Sequence, residues 1–201
     1  MVYVIIDNTK DLEQAVMTPK LISFFCRHGR DILVISKSSG FSSVSGRNVE
    51  GVVLSGGPVR LSEASSLLTY SKNFTALIEF PDVPVLGICF GFQLMASAYG
   101  GEVDSLGANR REGVMETIVS EGSPVLFRGL GSELTVYQSH SDHVPVPPRD
   151  FAVTAMGVDG VVQAFESVPR KRFGVQFHPE GTADGEGLLR NFLSFCEKAQ
   201  L

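Results

Sequence analysis

The stretch PVLGICFGFQ, residues 84–93, joins a short apolar run to a helical pattern through the sequence Gly-x-Cys-x-Gly around Cys89. A buried strand that turns sharply into a helix at the central residue of this sequence is the layout of a nucleophile elbow. The two glycines permit the sharp turn, and a helix N-terminus favours the thiolate form of a cysteine. Unpaired cysteines are often only small buried hydrophobes, but the flanking glycines favour a nucleophile here.

The chain before this stretch alternates strand-like and helical segments. Short apolar runs occupy residues 2–6, 31–36, 51–54 and 83–88. Residues 19–28 have helical apolar spacing, and residues 61–80 are expected to form one or two helices. This alternation predicts parallel strands that are joined by crossover helices.

The chain after this stretch contains short strand-like runs without helical spacers, which predicts antiparallel pairing. These runs are residues 102–106, 114–119, 133–137, 151–156, 161–166 and 172–177. Residues 186–198 then show an apolar helical stripe. We therefore predict a single α/β domain over residues 1–201, with a central, mostly parallel sheet flanked by helices and additional antiparallel strands in the C-terminal half.

Composition and charge exclude several classes of function. The 201 residues are 43% hydrophobic and 19% charged, with a net charge of −5. The acidic balance argues against a nucleic-acid partner. No apolar run approaches the roughly 18 residues of a membrane span, and the N-terminus lacks a basic leader. We expect a cytoplasmic protein with no membrane partner.

The number and spacing of the cysteines do not fit a set of disulfide bonds or a metal site. Cys26, Cys89 and Cys196 are odd in number and include no Cys-x-x-Cys pair, which argues against disulfides and a zinc site. Cys26 and Cys196 lie in amphipathic helical patterns, so we expect both in the core. Cys89 is the remaining candidate for a reactive thiol.

A thiol nucleophile needs a base, and the sequence FGVQFHPE at residues 173–180 offers one. An apolar strand delivers His178 at its end, and Pro179 fixes the following turn so that Glu180 can reach back to the imidazole. A histidine at a strand end is by itself more often a surface residue. Together with the elbow, the pattern favours the logic of a Cys-His-Glu triad.

The sequence Ser55-Gly56-Gly57-Pro58 follows another apolar run. Backbone amides at the glycine pair could stabilise a developing oxyanion, although an ordinary tight turn has the same composition. The phosphate loop of ATP pyrophosphatases also begins Ser-Gly-Gly. Pro58 and Val59 stand where that loop carries an Asp-Ser pair, so a nucleotide site is disfavoured.

In this order and at these separations, SGGP at residues 55–58, GICFGFQL at 87–94 and GVQFHPE at 174–180 resemble the motifs of the class I, triad-type glutamine amidotransferase family. The resemblance extends over roughly residues 2–195. It implies that Cys89 is the nucleophile, that His178 is the base and acid, and that Glu180 orients the histidine.

The resemblance also implies the binding residues. Gly57 and the backbone of Cys89 and Phe90 would form the oxyanion hole, and Gln93 matches the residue that holds the glutamine substrate. These groups lie on two of the three motifs, so the fold must bring them together.

A fourth stretch, YQSHSDHV at residues 137–144, resembles the Ser-His-Gly-Asp-Lys-Val segment of GMP synthase amidotransferases, with Ser141 in place of Gly and His143 in place of Lys. The resemblance implies that Ser139 and His140 contact glutamine. From the residue pattern alone, His140 and His143 are expected at the surface of a polar loop. The basic cluster at residues 170–172 is expected to solvate a turn.

The resemblance implies a glutaminase subunit that hydrolyses L-glutamine to glutamate and ammonia through a cysteine thioester, without a metal or organic cofactor. The length leaves no room for a synthetase domain, so we expect an ATP-pyrophosphatase subunit on a separate chain that aminates xanthosine monophosphate to GMP. Three alternatives stay open: another ammonia acceptor, a stand-alone γ-glutamyl hydrolase, and a catalytically silent regulatory module on the same fold.

Overall fold

A computed structural model describes residues 1–9, 15–36, 41–63, 70–120 and 125–199 of the chain. The strands in these residues are β1 (Val2–Ile6), β2 (Ile32–Ile35), β3 (Val49–Leu54), β4 (Val85–Ile88), β5 (Glu102–Ser105), β6 (Arg111–Ser120), β7 (Glu133–His140), β8 (Asp142–Val146), β9 (Ala152–Gly157), β10 (Val162–Ser167) and β11 (Arg172–Val175). The α-helices are α1 (Met17–Arg27), α2 (Ser71–Glu79), α3 (Phe90–Ala98) and α4 (Ala183–Lys198).

The central sheet has nine strands in the order β2-β1-β3-β4-β11-β10-β9-β6-β7. Strands β2, β1, β3, β4 and β11 pair in parallel. Strands β11, β10, β9, β6 and β7 pair antiparallel. Strands β5 and β8 form a separate antiparallel pair. The predicted α/β fold, with a parallel centre and antiparallel strands in the C-terminal half, is confirmed.

Both faces of the parallel strands are buried, because alternate side chains enter two different cores. On one face, residues such as Ile5 and Val53 pack with Phe24 and Phe25 of α1 and with α4. On the other face, residues such as Val52 pack with α2 and α3. This burial explains why the strands of the first half are continuous apolar runs rather than alternating patterns.

Helix α4 begins where the sequence provides a cap. Thr182 Oγ1 accepts a hydrogen bond from the Gly185 N–H at 3.1 Å, and Asp184 and Glu186 occupy the first turn, where negative charge is favourable. Of the residues 61–80 predicted to be helical, α2 covers nine and Leu61–Glu63 form a short 3-10 turn. Residues 64–69 of that prediction lie outside the described part of the chain.

Two expectations about burial are wrong. Cys196 is buried, as predicted, but Cys26 is exposed, because the buried face of α1 is formed by Thr18, Leu21, Phe24 and Phe25 and does not include it. Arg172 is 2% exposed and does not solvate a turn. Its guanidinium donates to the carbonyls of Val83 at 2.8 Å and Phe80 at 2.9 Å. The chain reversal at residues 168–171 therefore leaves Arg170 and Lys171 outside but turns the third basic residue inward.

None of the helices in the described ranges combines the length and the apolar character needed to cross a bilayer.

Candidate active site

The elbow that the sequence predicts is present between β4 and α3. Cys89 connects the two elements with φ = 51° and ψ = −105°, a conformation that is strained for a residue with a side chain. A Cβ atom on Gly91 would lie 2.1 Å from the Leu54 carbonyl oxygen, and one on Gly87 would lie 2.7 Å from the Gly91 oxygen. Glycine is required at both positions because the backbones approach so closely.

The segment that contains His178 and Glu180 follows strand β11, which pairs with β4. The His178 N–H donates to the Tyr137 carbonyl at 2.9 Å, and Pro179–Gly181 form one 3-10 turn. This turn brings Glu180 back, so that its Oε1 lies 2.9 Å from His178 Nδ1. The two side chains are 8% and 3% exposed. The turn predicted from Pro179 thus has the expected effect on Glu180.

His178 also reaches the elbow, because its side chain lies close enough to that of Cys89 for the two to interact electrostatically. Since Nδ1 is occupied by Glu180, Nε2 is the ring nitrogen that faces the sulfur. Gly56 lines the same contact: a Cβ atom there would lie 2.7 Å from His178 Cε1 and 3.6 Å from Cys89 Cβ. The structure therefore places the His178 side chain between those of Cys89 and Glu180.

The groups around His178 favour the charged form of its imidazole. Burial alone would lower the pKa of His178, but its interactions with Glu180 and Cys89 outweigh burial and hold that pKa well above its ordinary value. At neutral pH the histidine carries a proton that it can donate to a leaving group.

The backbone groups expected to bind an oxyanion are only partly free. The Cys89 N–H donates to the Val175 carbonyl at 2.8 Å, so it is not available to a substrate. Phe90 is the first residue of α3, and its N–H therefore has no acceptor within the helix. Gly57 is adjacent, since a Cβ atom there would lie 3.3 Å from Phe90 Cδ1. Among the described residues expected to bind an oxyanion, Phe90 and Gly57 are the candidates that remain.

A cleft of about 240 Å³ opens beside Cys89. Its lining includes all of the predicted binding residues, namely Gly57, Phe90, Gln93, Ser139 and His140. The Ser139 carbonyl oxygen lies 3.7 Å from Cys89 Sγ. Gln93 donates through Nε2 to the Asp142 carbonyl at 3.0 Å, which ties the elbow helix to the fourth motif.

The fourth motif is not a surface loop. Residues up to His140 belong to β7 and residues from Asp142 belong to β8, with buried and exposed side chains alternating along β7. His140 is 6% exposed, and burial lowers its pKa to about 4. The expectation that His140 is a surface residue is therefore wrong, whereas His143 is half-buried.

Sequence reasoning missed the groups that close the cleft on its far side. Asp142 is buried and accepts from the Ser62 N–H at 2.8 Å and the Ser62 hydroxyl at 2.7 Å. Arg60, which lines the cleft, lies 3.5 Å from the same carboxylate. Residues 138–143 are all polar, so the alternation of apolar and polar residues along β7 stops near residue 137 and no local signal indicates burial of the motif.

A second cleft, of about 480 Å³, reaches His178 and is also lined in part by Met17, Gly56 and Tyr137. Within the described ranges, no group of three or more His, Cys, Asp or Glu side chains is arranged to hold a metal ion.

Comparison with known proteins gives a family match over nearly the whole chain. The family model described as glutamine amidotransferase class-I matches residues 5–195. The chain is 33% identical over 167 residues to a GMP synthase [glutamine-hydrolyzing] subunit of Methanobrevibacter smithii, covering 82% of this chain and 83% of the relative. It is 36% identical over 170 residues to the corresponding GMP synthase subunit of Methanosarcina barkeri, covering 84% and 85%.

Longer relatives match over only part of their length. The chain is 38% identical over 162 residues to GMP synthase [glutamine-hydrolyzing] of Streptomyces coelicolor, but this match covers 80% of the chain and 30% of that protein. Among solved structures, a candidate GMP synthase subunit from Thermoplasma acidophilum superimposes with a TM-score of 0.82 at 27% identity, covering 100% of this chain and 96% of the other. This superposition agrees with the fold described above.

Proposed function

The chain belongs to the class I glutamine amidotransferase family, and from this premise we propose that it is a glutaminase subunit in which Cys89, His178 and Glu180 hydrolyse L-glutamine to glutamate and ammonia. The observation that carries the proposal is that buried His178 contacts Glu180 on one side and, on the other, Cys89, which lines the cleft. Residues 1–201 would form one amidotransferase domain.

In the first half of the reaction, the Cys89 thiolate attacks the side-chain carbonyl carbon of glutamine. The negative charge that develops on the carbonyl oxygen is stabilised by the backbone N–H groups of Phe90 and Gly57. The carbon–nitrogen bond then breaks, and the imidazolium of His178 gives its proton to the departing nitrogen. The products of this half are ammonia and a γ-glutamyl thioester on Cys89.

In the second half, His178 takes a proton from water as the water oxygen attacks the thioester carbon. The carbon–sulfur bond breaks, glutamate leaves, and the Cys89 thiolate and His178 imidazolium are restored. Glu180 stays ionised and stabilises the imidazolium in both halves. The balance requires only glutamine and water, so this chemistry needs no metal or organic cofactor.

We further propose that the ammonia serves GMP synthesis in a separate synthetase chain, an ATP-pyrophosphatase subunit. The support is the match to relatives named as GMP synthase subunits, which this chain covers over more than four-fifths of their length. The second cleft reaches His178, and it would give ammonia a route away from the glutamine side. The proposed setting is the cytoplasm, with no nucleic-acid or membrane partner.

The experiment is to purify the protein with its co-purifying chains and to assay amination of xanthosine monophosphate with glutamine as the nitrogen donor. We expect GMP formation that requires glutamine, ATP and intact Cys89, while Cys26→Ala has no effect. Glutamate release without GMP formation would favour another acceptor or a stand-alone hydrolase. No glutamate release with any partner would contradict the glutaminase itself.

A further inference from the structure

Behind the cleft lies a chain of buried amide side chains that the proposed chemistry does not use. Gln138, Gln163 and Gln176 are each 0% exposed, and His140 lies at the end of the chain next to the cleft. Buried amides must satisfy both a donor and an acceptor group, so their partners restrict their orientation.

The direction of this chain of hydrogen bonds follows from His140. Its Nδ1 lies 2.8 Å from the Asp142 carbonyl oxygen, and because a carbonyl only accepts, Nδ1 carries the hydrogen. Burial lowers the pKa of His140 to about 4, and the positive charges of Arg111, His178 and His143 act in the same direction. The ring is neutral at pH 7, so Nε2 is an acceptor.

Gln138 Oε1 lies 3.0 Å from His140 Nε2, and because two acceptors cannot form a hydrogen bond, we assign the Gln138 amide with its oxygen and nitrogen exchanged, so that its NH2 group faces the ring. Gln138 Nε2 lies 2.9 Å from Gln163 Oε1, so after this exchange the oxygen of Gln138 faces Gln163, whose amide must be exchanged as well. In that arrangement Gln163 donates with its nitrogen. This assignment gives a partner to the Gln163 nitrogen, which otherwise has none among the described residues.

The other end of the chain reaches Gln93. The Asp142 carbonyl that receives His140 Nδ1–H also accepts from Gln93 Nε2 at 3.0 Å. The same nitrogen lies 3.2 Å from Gln176 Oε1. Both hydrogens of the Gln93 amide are therefore committed to protein acceptors. The group that Gln93 can offer to a molecule in the cleft is its carbonyl oxygen.

We propose that Gln163, Gln138 and His140 are positioning residues that form a one-directional hydrogen-bond relay, which fixes the Asp142 carbonyl and thereby holds the Gln93 carbonyl oxygen toward the substrate. The site then selects a ligand that presents an N–H donor to Gln93, as L-glutamine does with its carboxamide or its ammonium group. This inference rests on the proposed function and names a specificity device within it.

The test is Gln138→Leu in the full chain, assayed with the synthetase partner. Leucine has a similar volume but cannot donate to His140, so we expect the KM for glutamine to rise about tenfold, equivalent to about 1.4 kcal/mol. The rate at which iodoacetamide alkylates Cys89 should stay within about twofold, because alkylation requires the thiolate and not the relay.

The matched control is Thr154→Val. Thr154 is also buried in the central sheet, and its hydroxyl has no hydrogen-bond partner within the described ranges. The KM of the Thr154→Val variant for glutamine should therefore equal that of the unaltered protein. An unchanged KM in Gln138→Leu would overturn the proposal. A rise in KM that is accompanied by a comparable fall in the alkylation rate would also overturn it, since the two changes together would indicate general structural damage.

A measurement on the unaltered protein keeps the inference testable if Gln138→Leu does not fold. The nitrogen chemical shifts of the His140 ring report which nitrogen carries the hydrogen, and we expect the neutral Nδ1–H form at pH 7. A protonated ring or the Nε2–H form would contradict the relay. These shifts do not depend on catalysis, so failure of the glutaminase proposal would be distinguishable from failure of the relay.

Discussion

Glu180 is the single residue whose charge most directly sets the state of His178. Burial opposes a charged imidazole, and the carboxylate 2.9 Å from Nδ1 is the largest opposing influence. The expected consequence is a histidine that stays protonated well above pH 6.5, the ordinary value of its pKa. In the proposed mechanism, this is the proton that the leaving nitrogen receives.

We predict that Glu180→Gln moves the alkaline limb of the kcat/KM profile to lower pH by about one unit or more. The amide keeps the shape of the carboxylate but removes the negative charge, so burial of His178 is no longer offset and its pKa falls. The measurement is glutamate release as a function of pH. An alkaline limb that stays in place in the variant would show that Glu180 does not control the imidazolium.

Arg172 is a buried charged residue whose guanidinium is stabilised by hydrogen bonds to neutral oxygens. Its guanidinium donates to Tyr99 Oη at 2.9 Å and to the carbonyls of Val83 and Phe80, and these carbonyls lie just after α2 and before β4. Because backbone carbonyls that lose a buried donor stay unsatisfied, we predict that Arg172→Met lowers the free energy of unfolding by about 3 kcal/mol or more.

Urea unfolding measures this loss, and the KM for glutamine should be unchanged because Arg172 is absent from both clefts. Arg170→Met is the matched control, since Arg170 pairs with Asp150 on the surface and surface pairs contribute little. Equal effects of the two substitutions would refute the structural role given to Arg172.

At the scale of elements, the elbow depends on how closely α3 approaches β3. We predict that Gly91→Ala destabilises the protein by about 2 kcal/mol or more, because the added Cβ would lie 2.1 Å from the Leu54 oxygen. Thermal unfolding provides the measurement. Gly131→Ala, where the nearest atom would be 3.5 Å away, should change stability little, and a tolerated Gly91→Ala would contradict the packing.

The sequence predicts these elements best where local chemistry and tertiary packing agree. Strand β4, the cysteine elbow and helix α3 follow from a buried run, two glycines and helical periodicity, and all three are present. The approach of His178 to Cys89 is not visible in local spacing. It depends on β11 pairing beside β4, a contact between residues nearly ninety positions apart in the sequence.

Apart from Cys26, which lies off the buried face of its helix, the errors share one physical origin, which is burial of polar side chains by tertiary contacts. The segment 137–144 is rich in Ser, His and Asp, a composition typical of loops, yet β7 and β8 bury His140 and Asp142 with complete sets of partners. Arg172 follows the same rule. A polar residue can be predicted as buried only when its distant partners are known, and those partners come from other elements.

At the scale of the whole molecule, the site lies at the carboxyl ends of three neighbouring parallel strands. Gly57 follows β3, Cys89 follows β4 and His178 follows β11. This edge of a parallel sheet is where open α/β folds bind their ligands. The antiparallel half extends the sheet on the other side, and β7 contributes Ser139 and the backbone partner of His178.

The folded molecule should lose stability in mild acid because of His140. Its pKa is about 4 in the folded protein and about 6.5 in the unfolded chain, so the unfolded chain binds the extra proton between these values. The free energy of unfolding should therefore fall as pH decreases from about 6.5 to about 4. Urea unfolding at several pH values measures the slope, and a stability that is constant over this window would contradict a buried neutral His140.

The most direct test of the central claim is chemical labelling of the nucleophile by diazo-oxo-norleucine, an electrophile shaped like glutamine. Peptide mass spectrometry should find one adduct per chain, on the peptide that contains Cys89, and free glutamine should protect against it. Cys26, although exposed, should remain unlabelled, and Cys89→Ala should abolish the adduct. Labelling that persists in Cys89→Ala, or that glutamine does not suppress, would contradict a glutaminase site at Cys89.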